Sequence, residues 1–211
     1  MRRWILGLIL SLVADTSAGD DRTGMFDYYV LSLSWSPNWC ARTGIARGSD
    51  QCAPDRGLGW SLHGLWPQYE TGWPSYCDTS FTSPTTLEAG EMADIMGSAG
   101  LARHEWTKHG TCSGLGAAGY FKASRTAYNG IARPFEMLSG NVAGQISAAE
   151  VEDEFIKMNP HLKAEQVTVT CKSDQIQEVR ICLTKDLRPR DCGADVMRDC
   201  TLKEAIFHPI P

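Results

Sequence analysis

The alternation of apolar and polar positions predicts several β-strands. Residues 26–35 are aromatic, β-branched or apolar on both alternating faces, which is typical of a central strand, and Pro37 ends it. Residues 60–66 form a second buried strand by the same criterion. The remaining predicted strands lie at 166–171, at 175–183 after a hairpin turn, and at 206–209.

Apolar residues at helical spacing predict helices between these strands. Leu87, Met92, Ile95 and Met96 predict a short helix before Gly97, with both methionines in the core. Further helices are predicted at 120–128, at 131–138 and, after a capping-box pattern, at 147–159.

Two segments, 38–59 and 69–84, lack periodicity and are rich in Gly, Pro, Ser or Cys, so we predict loops there. The second loop carries Trp73, Tyr76 and Phe81. These aromatic side chains either pack within the loop in the ordinary way or act as platforms on which bases stack. Neither an internal repeat nor a linker divides the sequence.

The N-terminus has the parts of a secretory signal peptide. A basic start precedes an apolar run at 4–14 and small residues at 16–18. A membrane anchor is the alternative, but the run is shorter than the roughly 20 residues that a span needs. We therefore expect a signal peptide at 1–18 and a single domain at 19–211 that is periplasmic or secreted and has no contact with a membrane.

The formal net charge of the chain is −5 at pH 7. Removal of the signal peptide would make the mature chain more negative still, because it takes away Arg2 and Arg3 but only Asp15. An acidic protein does not coat nucleic acid by broad neutralisation of phosphates. It can still hold one phosphate in a local cationic pocket.

The chain has eight cysteines, an even number, which in an exported chain favours disulfides over free thiols or metal ligands. No C-x-x-C pattern suggests zinc or redox chemistry. The sequence alone leaves about 105 possible pairings. The eight residues are Cys40, Cys52, Cys77, Cys112, Cys171, Cys182, Cys192 and Cys200.

Titratable side chains are densest in the segment 104–112. If this segment is helical, four of them fall within an arc of about 140° on one face, namely His104, Glu105, Lys108 and His109. A solvated charged face is the plain alternative. A zinc helix needs histidines at i and i+4, whereas His104 and His109 are five residues apart, so we expect no metal.

A second cluster lies at 61–68, where His63 and Gly64 interrupt an apolar strand. Glycine lets a ligand approach the backbone beside the imidazole. A buried core histidine is the alternative interpretation of His63 alone. His161 and His208, which lie next to prolines outside both clusters, are interpreted as surface or packing residues.

The segments H-G-L-W-P at 63–67 and H-E-W-T-K-H-G-T-C at 104–112 resemble the two active-site segments of the T2 family of ribonucleases. Residues 26–37 also resemble the family's first strand, in its bacterial form. The resemblance implies an α+β fold in which helices pack on a central antiparallel sheet stabilised by disulfides. It implies the pairs Cys77–Cys112, Cys171–Cys200 and Cys182–Cys192, which leaves Cys40–Cys52.

The resemblance also implies an endoribonuclease that needs neither metal nor cofactor. It would cleave single-stranded RNA to 2′,3′-cyclic phosphates and hydrolyse these to 3′-phosphates, with His109 as general base and His63 as general acid of the first step. His104, Glu105 and Lys108 would contact or stabilise the phosphate. DNA is not a substrate, because the nucleophile is the 2′-hydroxyl. We expect a monomer.

Base recognition would use Trp66, which occupies the family's stacking position. Some fungal members have an aspartate two residues later to favour adenine, and Gln68 stands there instead. Since an amide both donates and accepts, it dictates no base, and we expect broad specificity. Two other classes remain open: a T2-like binding or inhibitory module without activity, and a metal hydrolase.

Overall fold

A computed structural model describes residues 21–134 and 144–210. The expected signal peptide at 1–18 and the second half of the helix predicted at 131–138 lie outside these residues. The first half, 131–134, is described and is not helical, since Pro134 leaves no room for a helix to start there. The strands are β1 (Tyr28–Trp35), β2 (Trp60–Gln68), β3 (Gly144–Ile146), β4 (Val167–Lys172), β5 (Gln175–Leu183) and β6 (Ala205–Phe207). The α-helices are α1 (Ser36–Trp39), α2 (Thr86–Glu91), α3 (Ala93–Met96), α4 (Ala99–Lys108), α5 (Ala117–Asn129) and α6 (Ala148–Met158).

The strands form one sheet in the order β2-β1-β5-β6-β3, with β4 also paired to β5. Every strand pair is antiparallel except β5 and β6, which meet in parallel at Gln175 and Ile206. The apolar strand β1 lies between β2 and β5, as its two apolar faces predict. The α+β class is confirmed.

The two faces of β1 point into different clusters. Leu31 and Leu33 belong to the main core, to which α4, α5 and α6 contribute side chains. Tyr28 and Val30 belong to a smaller apolar cluster on the other face. Because side chains alternate along a strand, Ser32 follows Val30 onto this second face.

The structure corrects two further predictions. The segment 38–59 is not a plain loop, because its first part continues α1 in a π-helical turn at Cys40–Gly44 and 3₁₀ turns at Ile45–Arg47 and Asp50–Cys52. Turns this short leave no hydrophobic periodicity to detect. Leu87 is 72% exposed, since α2 ends before the other apolar residues of the predicted helix and α3 starts a new phase.

Other predictions hold. The Ser147 and Glu150 capping box precedes α6, and Met92 and Met96 are buried in the core. The four disulfides are the pairs that the family resemblance implies: Cys40–Cys52, Cys77–Cys112, Cys171–Cys200 and Cys182–Cys192. Among the helices in the described ranges, none has the length and apolar character needed to cross a bilayer.

Candidate active site

A β-bulge sets the direction of His63. Ser32 of β1 pairs with Gly64, whereas the next residue, Leu33, pairs with Leu62, so His63 is the extra residue in β2. Strict alternation from Trp66 would turn His63 toward the main core. The bulge instead brings its imidazole to the face that Ser32 occupies and returns Leu62 to the core.

On this face His63 contacts Glu178 of β5, which in turn pairs with Arg180 of the same strand. Its Nδ1 lies 2.6 Å from Oε1 of Glu178, a β5 residue whose side chain is 1% exposed. The other carboxylate oxygen, Oε2, accepts hydrogen bonds from Nε and Nη2 of Arg180 at 3.0 and 2.8 Å. Glu178 therefore fixes the imidazole at Nδ1 and leaves Nε2 for a substrate.

The second motif forms α4 and the residue that follows it. Ser98 caps the helix by accepting a hydrogen bond from the Leu101 amide. Trp106 is buried in the core, as predicted, and so anchors the helix. His109 is the C-cap, and its amide donates to the Glu105 carbonyl at 2.9 Å.

Gly64 allows the two motifs to meet. A Cβ atom at this position would overlap the Glu105 carboxylate and the Trp66 indole. What approaches the backbone is thus a side chain of the protein, and the hypothesis that a ligand approaches Gly64 is wrong. The Trp66 indole N–H donates to Oε2 of Glu105 at 2.7 Å, and Oε1 of Glu105 lies 3.7 Å from Nε2 of His63.

Trp66 also connects the two histidines. Its ring stacks on the His109 imidazole, with centroids 5.2 Å apart and planes inclined by 26°. The His63 imidazole lies edge-on to the same indole at 5.3 Å, and the Arg180 guanidinium lies over the ring at 5.2 Å. The indole is therefore part of the packing that positions both imidazoles.

These groups line one cavity of about 310 Å³. All five residues predicted to be catalytic border this cavity, namely His63, His104, Glu105, Lys108 and His109. The two predicted base-binding residues, Trp66 and Gln68, border it as well. The helix-face prediction for the second motif is thus consistent with the structure.

The environments of the two imidazoles shift their pKa values in opposite directions. Burial lowers the pKa of His63, but the hydrogen bond and charge of Glu178, with the charge of Glu105, outweigh it, so the pKa is raised above 6.5. Burial, and then the charge of Lys108, lowers the pKa of His109 to about 3. The surroundings of His63 thus favour its protonated form, and those of His109 favour its neutral form.

The two carboxyl groups beside His63 differ as well. Burial raises the pKa of the Glu105 carboxyl. Burial acts on Glu178 in the same sense, but the hydrogen bond and charge of His63 and the charge of Arg180 lower its pKa to about 2. Glu178 therefore stays ionised and is the anionic partner of the His63 imidazolium.

Sequence reasoning missed Glu178 and Arg180. The sequence did contain a pattern that could have pointed to them. They occupy alternate positions of a strand whose other face carries Val179 and Ile181. Two charges on one face of a central strand are costly unless they are paired, and such positions favour a functional site. Strand alternation does not name their partner, which is 115 residues away in sequence.

The other candidate residues take plainer positions. Gln68 is buried, and its amide donates to the Pro67 carbonyl at 3.1 Å. Trp73 borders the cavity and is 58% exposed. His161 is exposed, and the His208 amide donates to Asn38 at 2.7 Å, so both fit the surface and packing interpretation. In the part of the chain that the structure describes, no group of three or more His, Cys, Asp or Glu residues is arranged to hold a metal ion.

The fold is that of several solved plant ribonucleases and related proteins. An RNase-related protein from Calystegia sepium superposes with a TM-score of 0.65 at 22% identity, over 88% of this chain and 97% of that one. Trichomaglin, described as an S-like ribonuclease, superposes with a TM-score of 0.63 at 20% identity, over 88% and 99% of the two chains. At these identities the likeness defines the fold class.

The sequence comparisons then identify the family: the model of the Ribonuclease T2 family matches residues 26–192, and the chain belongs to that family. A ribonuclease of Aeromonas hydrophila is 46% identical over 112 residues, and a probable ribonuclease of Haemophilus influenzae is 33% identical over 134. The matches cover 53% and 57% of this chain and 49% of each relative, so the chain spans about half the length of these curated relatives.

Proposed function

We propose that this protein is an exported, metal-independent endoribonuclease that cleaves single-stranded RNA. The observation that carries the proposal is the pair of imidazoles on one cavity, one with a raised and one with a lowered pKa. An acid–base reaction at neutral pH needs one histidine of each kind. Membership of the Ribonuclease T2 family supports the same reaction.

In the first step, His109 takes the proton from the ribose 2′-hydroxyl, and the 2′-oxygen attacks the adjacent phosphorus. The bond to the 5′-oxygen of the next nucleotide breaks, and Nε2 of His63 gives that oxygen its proton. The products are a 2′,3′-cyclic phosphate and a free 5′-hydroxyl. Each positioned proton transfer typically contributes about 10²- to 10⁴-fold in rate.

Lys108 supplies positive charge at the cavity wall, and His104 offers a ring N–H there, where charge develops on the phosphoryl oxygens. Glu105 acts on His63, since its Oε1 lies 3.7 Å from Nε2. This contact favours the imidazolium that the acid must be at the start of the reaction. In the second step the roles reverse: His63 takes a proton from water, and His109 returns one to the 2′-oxygen.

The nucleophile makes RNA the substrate and excludes DNA. Trp66 stacks on His109 on one side, and the exposed Trp73 offers a further aromatic surface at the same cavity. The Gln68 amide hydrogen-bonds within its own strand. Stacking, which every base can make on an aromatic ring, supports broad base specificity.

The remaining parts of the proposal concern the whole chain. We infer a signal peptide at 1–18, a single catalytic domain at 19–211 and a monomer that is periplasmic or secreted. The four disulfides support export, since such bonds persist in oxidising compartments.

The test is digestion of the four RNA homopolymers by the oxidised protein in excess EDTA, with products resolved by mass. Cyclic phosphates that convert to 3′-phosphates would support the two-step mechanism, and comparison of the homopolymers would rank the bases. Absence of cleavage by protein with its disulfides formed would contradict the proposal and favour a T2-like binding module. Cleavage that EDTA abolishes would favour a metal hydrolase.

A further inference from the structure

A second cavity of about 360 Å³ adjoins the candidate active site. The two cavities share His63, Gln177 and Glu178 as a common wall, so His63 stands at the junction. Together they form a groove that extends past the imidazole on the side away from His109, which borders only the first cavity.

The wall of the second cavity is cationic. Arg42 and Arg47 border it from the turns that follow α1, and Lys172 borders it from the end of β4. Within residues 21–134 and 144–210, none of the three is within 4.0 Å of a carboxylate oxygen. The acidic residue on this wall is Glu178, and His63 and Arg180 already pair with it.

The segment that carries the two arginines is fixed in place. The Cys40–Cys52 disulfide closes it, and Gly44 packs so closely against Trp39 and the Cys52 sulfur that a Cβ atom would overlap both. Arg42 is partly buried, and its Nη1 lies 3.5 Å from Oε1 of Gln175. A net-negative chain thus holds three cations on one wall of a constrained groove.

The chemistry of the first cavity gives this groove a direction. If His63 protonates the departing 5′-oxygen, the nucleotide that leaves lies on the His63 side, and the RNA strand continues from it in the 3′ direction. We propose that Arg42, Arg47 and Lys172 form a subsite for the backbone phosphate that follows the leaving nucleoside on its 3′ side. This inference rests on the proposed function, and it makes the enzyme favour internal bonds of longer strands.

The experiment compares kcat/KM for three substrates with the same scissile bond: UpU, UpUp with a 3′-terminal phosphate, and pUpU with a 5′-terminal phosphate. In the wild type, the 3′-phosphate should raise kcat/KM by about tenfold, the effect of one charge-assisted contact. In the triple variant Arg42→Ala, Arg47→Ala, Lys172→Ala, the ratio of UpUp to UpU should fall to about one. The ratio of pUpU to UpU should not change.

Lys122→Ala removes an exposed positive charge from α5 and serves as the charge control; its UpUp to UpU ratio should equal that of the wild type. Salt provides a second measurement. For a long single-stranded substrate, the slope of log kcat/KM against log salt should become less negative by about 0.7 for each phosphate that the triple variant no longer binds.

Several outcomes would overturn the subsite. A wild type that cleaves UpU but gains nothing from the 3′-phosphate would do so, as would a triple variant that keeps the gain. If the triple variant lost a gain from the 5′-phosphate instead, the direction of the strand would be reversed. If the wild type cleaved none of the three substrates, the proposed function itself would be contradicted. This outcome differs from failure of the subsite alone, in which UpU is still cleaved.

Discussion

The contact between His63 and Glu178 gives the most specific prediction. Replacement Glu178→Gln keeps the shape and a hydrogen-bonding oxygen beside Nδ1 but removes the negative charge. Burial of the imidazole then acts with less opposition, so the pKa of His63 should fall. Because the proposed mechanism uses His63 as the protonated acid, the alkaline limb of kcat/KM should move to lower pH.

The distances set the expected size. At an effective dielectric constant of about 20, unit charges separated by the 2.6 Å from Nδ1 to Glu178 attract by about 6 kcal/mol, and those separated by the 3.7 Å from Nε2 to Glu105 attract by about 4.5 kcal/mol. Desolvation of the ions opposes both. Net effects of a nearby carboxylate are about 1 to 3 pH units, or about 1.4 to 4 kcal/mol. The limb should move by that amount.

The assay is the pH dependence of kcat/KM for UpU, together with an NMR titration of the His63 imidazole. In the wild type, activity should rise as His109 loses its proton near pH 3 and fall as His63 loses its own above pH 6.5. Glu204→Gln removes an exposed carboxylate and serves as the matched control. Superimposable profiles for wild type and Glu178→Gln would refute the reasoning.

Two further predictions concern the frame of the site. Gly64→Ala should lower kcat by about 100-fold or more while the protein stays folded by circular dichroism. The new methyl group overlaps the side chains packed on β2, and a misplaced catalytic group can cost that much. The control Gly90→Ala places its methyl group in open space and should leave activity intact; equal activity of the two variants would contradict the packing argument. The double change Cys77→Ala, Cys112→Ala opens a loop with a sequence separation of 35 and should lower the free energy of unfolding in urea by about 4 kcal/mol; a loss below about 1 kcal/mol would show that the disulfide constrains little.

The second motif could be predicted from sequence because its groups are local. Helical spacing alone places His104, Glu105, Lys108 and His109 on one face, and all four border one cavity. Trp106 entered the core for the same reason. Local periodicity is a sufficient guide when one element carries all the groups.

The geometry of the first motif and its partners could not be predicted from local sequence patterns. The direction of His63 depends on a bulge that is visible only as a shift in the pairing of β1 with β2. The contact of His63 with Glu178 depends on the register of β5, a strand more than 100 residues later. Alternation predicts the faces of a strand, but neither its neighbour nor its register.

The most direct test of the account compares two leaving groups in His63→Ala and His109→Ala. One substrate is UpU, and the other is uridine 3′-(4-nitrophenyl) phosphate, whose leaving group departs without a proton. The account predicts that His63→Ala loses about 10²- to 10⁴-fold on UpU and little on the nitrophenyl ester, whereas His109→Ala loses activity on both. Equal losses of His63→Ala on the two substrates, or rescue of His109→Ala instead, would contradict the assignment of His63 as the acid and His109 as the base.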